Sequence, residues 1–92
     1  MNITGFEKFL SQQSSITSKT KAVKSRIAKA SKVERDLKVD LDDVVKDDQL
    51  TYDLLLRIQN EMNEQRGNYQ NAVRKYYEYR IGTKFPQLRR FK

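Results

Sequence analysis

Asn68-Tyr69-Gln70-Asn71-Ala72-Val73-Arg74-Lys75-Tyr76-Tyr77-Glu78-Tyr79-Arg80-Ile81-Gly82 is the stretch on which the reading of this chain turns. Tyr69, Ala72, Val73, Tyr76 and Tyr77 recur at i, i+3, i+4, i+7 and i+8, the spacing of one apolar face of an α-helix. Asn68 suits an N-cap, where its side chain can accept a first-turn N–H, and Gly82 suits the left-handed residue that closes a helix. The spacing predicts a helix that buries aromatic side chains. Gln70, Arg74, Lys75 and Glu78 fall outside the stripe, so the same helix is expected to present a partly basic surface.

Around that helix there is room for one small domain. At 92 residues and 37% hydrophobic content, only about 60–65% of the unfolded chain's surface can be buried. One Pro and three Gly, with Lys, Glu, Gln, Arg and Leu common, favour an all-α bundle of four to five helices. The absence of Cys and His excludes disulfides, thiolate nucleophiles, zinc held by Cys or His, and imidazole acid–base chemistry. Neighbouring carboxylates such as Asp42/Asp43 and Asp47/Asp48 diverge on a helix and suggest no third ligand, so no metal site is expected. With no Gly-rich loop either, the expectation is a protein without enzymatic activity, cofactor or small-molecule substrate. Met1 to Leu10 contains no apolar run behind a basic cluster, so neither a signal peptide nor a membrane span is read, and a cytoplasmic location is expected.

From the start of the chain, Thr4 and Glu7 stand at capping-box spacing ahead of Phe9 and Leu10, with Phe6 between them. That helix should end near Ser11, and residues 11–15 read as a polar connection. Ile16 then reads as a hydrophobic staple before a Thr17 or Ser18 cap. A second helix, Thr17 to Lys38, carries Val23, Ile27, Ala30, Val33 and Leu37 at helical spacing. Asp40 or Asp42 can cap a single turn holding Leu41, Val44 and Val45. Asp47 or Asp48 can cap a helix from Gln49 to Gln65, striped by Leu50, Leu54, Leu55, Ile58 and Met62, with Gly67 ending it. The expected core is Phe6, Phe9, Leu10, Val23, Ile27, Leu37, Leu54, Leu55, Ile58, Val73, Tyr76 and Tyr77. Residues 1–82 form the helical domain and 83–92 a basic tail, which reads either as an arm on nucleic acid or as chain that lays Phe85 and Leu88 over the core.

Charge is segregated along the chain, whose formal total is +7. Thr17 to Lys38 holds eight cations against Glu34 and Asp36, a net +6. Val39 to Glu64 holds eight carboxylates against Lys46 and Arg57, a net −6. Gln65 to Lys92 holds eight cations against Glu78, a net +7. A Lys-rich helix is most often a solvated surface. A fold that sets the second helix beside the Asn68 helix would instead gather a basic face suited to a polyanion. The candidate contacts are Lys21, Lys24, Lys32, Arg35, Arg74, Lys75, Arg89 and Arg90.

Ile16-Thr17-Ser18-Lys19-Thr20 leading into a basic helix, an Asp-rich turn, a leucine helix, and then Asn68, Ala72, Val73, Arg74, Tyr76 and Tyr77 resemble a known module. The pattern is similar to the N-terminal core-binding, SAM-like domain of phage integrases and other tyrosine recombinases, over roughly Ile3 to Gly82. The resemblance implies a four-helix bundle laid over one side of duplex DNA, with the basic residues of the Thr17 helix and Arg74 and Lys75 as contacts. The family's catalytic domain has no counterpart in these residues. Two functions remain in view: a DNA-binding module from a phage or mobile element, or an adaptor or phage-encoded inhibitor that sets the same face against an acidic protein partner.

Overall fold

Asn2, rather than Thr4, starts the first helix. In the computed structural model, which describes residues 1–13, 19–62 and 67–88, α1 runs Ile3–Ser11. Asn2 is extended, and its Oδ1 accepts the Gly5 N–H at 3.0 Å, so the Thr4/Glu7 pair falls inside the helix. α2 (Lys19–Leu37) ends on Lys38, which sits in the left-handed region at φ 55° while the Val39 N–H donates to Glu34 O. The staple and cap expected at Ile16 to Ser18 lie outside the described residues. α3 (Leu41–Val45) is capped by Asp40 through the Asp42 N–H at 2.9 Å, and α4 (Asp48–Glu61) by Asp47 through the Gln49 and Leu50 N–H groups. α5 is Asn68–Ile81. Gly67, left-handed at φ 73°, takes the cap position expected of Asn68 and makes no side-chain bond, whereas Gly82 closes the helix in the left-handed conformation as expected.

The fold is all-helical among the described residues, a five-helix bundle with α5 at its centre. α1 pairs with α2, α3 pairs with α4, and α5 packs against all four. Ala72, Val73, Tyr76 and Tyr77 of α5 are buried, together with Phe6, Leu10, Val23, Leu37, Leu54, Leu55 and Ile58 from the other helices. Phe9 and Ile27, expected inside, are only partly buried at its margin. Leu50 is 49% exposed, because the inward stripe of α4 runs Thr51, Leu54, Leu55, Ile58. Thr51 takes the first place in that stripe by setting its hydroxyl 3.0 Å from the carbonyls of Val44 and Asp47. α3 contributes Leu41, Val44 and Val45, and the tail contributes Phe85, whose ring meets Tyr77 edge-on at 5.1 Å.

Tyr76 carries a polar pin through this core. Its hydroxyl accepts the Asn2 N–H at 2.7 Å and donates to Asp42 Oδ1 at 2.5 Å. Asp42 also meets Arg80 Nε at 3.4 Å, and the Met1 ammonium lies 3.3 Å from Glu34 and 3.4 Å from Asp42. Burial disfavours the ionised Asp42 carboxylate, but the Tyr76 hydroxyl, the ammonium and Arg80 outweigh it and hold the carboxyl below its usual range. Burial followed by the Asp42 bond pushes the Tyr76 phenol well above the ordinary value. Four residues before Phe9, Gly5 lets α1 approach α5 so closely that a Cβ there would collide with the Tyr79 hydroxyl.

Candidate nucleic-acid interface

On α2 the buried side runs through Val23, Ala30, Val33 and Leu37, which leaves Lys21, Lys24, Lys32 and Arg35 on the outward stripe. From Lys21 to Arg35 that stripe spans about 21 Å at 1.5 Å per residue. Lys21 and Lys24 are exposed and have no carboxylate within ion-pair distance among the described residues. Lys32 pairs with Asp36 at 2.7 Å and Arg35 approaches the same carboxylate at 3.8 Å, so the C-terminal half of the stripe is partly neutralised. An exposed i,i+4 pair of this kind is worth only about 0.3–0.5 kcal/mol, and phosphate can compete with it.

The polar side of α5 does not face outward as the helical wheel suggests. Gln70 Nε2 donates to Leu55 O at 2.8 Å, and Lys75 Nζ donates to Gln13 Oε1 at 3.0 Å while lying 3.7 Å from Glu78. Arg74 Nη1 donates to the carbonyls of Phe85 and Pro86 at 3.0 and 3.1 Å, with its guanidinium over the Phe85 ring. Arg74 and Lys75 are therefore clamps for the chain's own segments rather than free contacts. A helix flanked by four others and covered by the 83–88 segment has little open surface left. Phe85, at 5% exposure, is laid over the core and is not an extended arm. Arg89 and Arg90 lie outside the described residues.

A cleft of about 310 Å³ opens between α2, α5 and the 83–88 segment, lined by Arg26, Asn71, Arg74, Lys75, Glu78 and Lys84 among others. Four cations face one carboxylate there. Burial lowers the pKa of Arg74, which has carbonyl partners but no carboxylate among the described residues. Arg26 Nε is buried without a hydrogen-bond acceptor among the described residues. Arg26 belongs to the basic residues of the second helix and Lys84 to the basic tail, but neither is among the eight candidate contacts read from the charge map. Arg26 lies at i−4 from buried Ala30, on the edge of the apolar stripe, and that position was its one legible signal.

No helix among the described residues is long and apolar enough to cross a membrane. Comparison with protein-family models, with curated proteins and with solved structures finds no match to this chain.

Proposed function

We propose that this chain is a non-enzymatic DNA-binding module that grips duplex phosphates through the outward stripe of α2, in the manner of the integrase core-binding domains it resembles. A phage or mobile-element origin and a cytoplasmic setting accompany that reading. The observation that carries it is the pair Lys21 and Lys24, exposed and without a carboxylate partner among the described residues, at the start of a stripe that continues through Lys32 and Arg35. A stripe about 21 Å long covers about six base-pair steps at 3.4 Å, enough to reach several phosphates of one strand. Affinity from such contacts is largely independent of sequence and comes from the release of condensed counterions.

A mobility-shift titration of duplex DNA at several salt concentrations tests the reading. With Arg74 and Lys75 turned inward, three or four neutralised phosphates give a slope of log K against log salt of roughly −3. Lys21→Glu with Lys24→Glu should abolish most of the binding, whereas Lys46→Glu with Arg57→Glu, in the acidic segment, should not. Thermal melts of the first pair should match the unmodified protein, because both side chains are exposed. Arg74→Glu is no substitute in this test, since losing the bonds to Phe85 and Pro86 should itself lower the melting temperature. Absence of binding at low salt would move the function to an acidic protein partner, which the same stripe suits.

A further inference from the structure

We infer that the cleft between α2, α5 and the 83–88 segment binds a single phosphate group, with Arg26 and Lys84 as its movable donors and Arg74 as the fixed charge behind them. This goes beyond the duplex reading, because the ligand is a phosphate whatever carries it. Two guanidinium groups line the cleft without a carboxylate partner among the described residues: Arg74, which burial desolvates and two carbonyls hold, and Arg26, whose buried Nε has no acceptor there. A desolvated cation without a counterion is an unfavourable arrangement that an anion relieves. Glu78 is committed to Lys75 at 3.7 Å and leaves the other three charges without a carboxylate among the described residues. Lys84 is exposed at the rim, where it can swing over an occupant, and Asn71 supplies a neutral donor beside it. Tetrahedral oxygens can accept from a guanidinium fork and an ammonium together, which a planar carboxylate does less completely. The Phe85 ring is covered by Tyr77 and Arg74 and offers no stacking face for a base, so the site recognises the phosphate and not a nucleobase.

The test uses sodium phosphate, titrated into the full chain at constant ionic strength, with sodium acetate as the comparison. Side-chain NMR of the arginine Nε–H groups should show a saturable shift at Arg26, and the melting temperature should rise with phosphate more than with acetate. Arg26→Met and Lys84→Gln should each weaken phosphate binding about tenfold or more, and Lys46→Gln, at an exposed position in the acidic segment, should leave it unchanged. Without phosphate, Arg26→Met should melt no lower than the unmodified protein, since the buried Nε has no bond to lose among the described residues. A shift that never saturates, equal effects of acetate, or full phosphate affinity in the Arg26→Met/Lys84→Gln double variant would overturn the inference. Short blunt duplexes with and without 5′-phosphates identify the source. A preference for phosphorylated ends that Lys84→Gln removes assigns a terminal monoester, and equal weakening on both duplexes assigns an internal diester. Phosphate binding that persists where no duplex binds upholds the cleft and rejects the DNA reading. Duplex binding without any phosphate response does the reverse.

Discussion

Gly5 shows how much of this fold depends on a single hydrogen atom. The Tyr79 hydroxyl occupies the place where any other residue would put its Cβ, and Tyr79 in turn stacks against Phe6 and Phe9 with ring centroids 6.0 and 5.6 Å away. Gly5→Ala should therefore destabilise the protein by about 1–3 kcal/mol, the usual cost of overpacking, despite alanine's better helix propensity. Combining it with Tyr79→Phe, which removes the colliding oxygen, should recover part of the loss in urea melts. Additive losses in the double variant would mean that the collision is not the cause. The glycine carries no mark in the sequence that distinguishes it from a helix-weakening residue, because the tyrosine it accommodates is 74 positions away.

Each helix end tells how far local chemistry reaches. Asp40 and Asp47 cap their helices through their own side chains, a bond made within three residues and therefore legible in advance. Asn68 had the right side chain, but the backbone of Gly67 turned left-handed one residue earlier and took its place. α2 stops on Lys38 at φ 55°, where a side chain with a Cβ is strained by about 1–2 kcal/mol. Lys38→Gly should consequently raise the melting temperature, with a gain of about 1 kcal/mol, and a lowered melting temperature would show that the lysine side chain holds the turn. The apolar stripes of α2 and α5 were largely legible because periodicity records which side is buried, and so was that of α4 except at its first turn, where Thr51 and not Leu50 turns inward. The polar side of α5 was not, since a one-faced helical wheel cannot foresee a helix with four packed neighbours and a returning tail. A wheel accordingly puts Arg74 and Lys75 on the outside and gives no reason to set Arg26 and Lys84 beside them.

Over the whole molecule, two buried tyrosines contribute stability that alkali removes. Burial, followed by the bond its hydroxyl donates to Asp48 at 2.8 Å, pushes the Tyr77 phenol up to about 12 from 10.0. A pKa raised in the folded state means that the folded protein holds its proton more tightly, so the contribution is complete below pH 10 and is lost as pH rises toward 12. Tyr76 shifts in the same direction. Melting temperatures should fall steeply above pH 10, and Tyr77→Phe should flatten part of that fall; parallel curves would sink the assignment to the Asp48 bond. At the acid end Asp42 acts in the opposite sense, because its lowered pKa makes a contribution that is complete above about pH 4 and disappears as pH drops through the folded value. The Asn2–Tyr76 bond also has a consequence in time. At about 5–20 residues per second, a ribosome needs roughly 4–15 s between making Asn2 and making Tyr76. During that interval Phe6 and Leu10 can rest against α2 but not against the helix that completes their burial. Until Tyr76 is made, the aromatic surface of α1 stays half covered, so the cooperative folding of these five helices waits on the synthesis of α5.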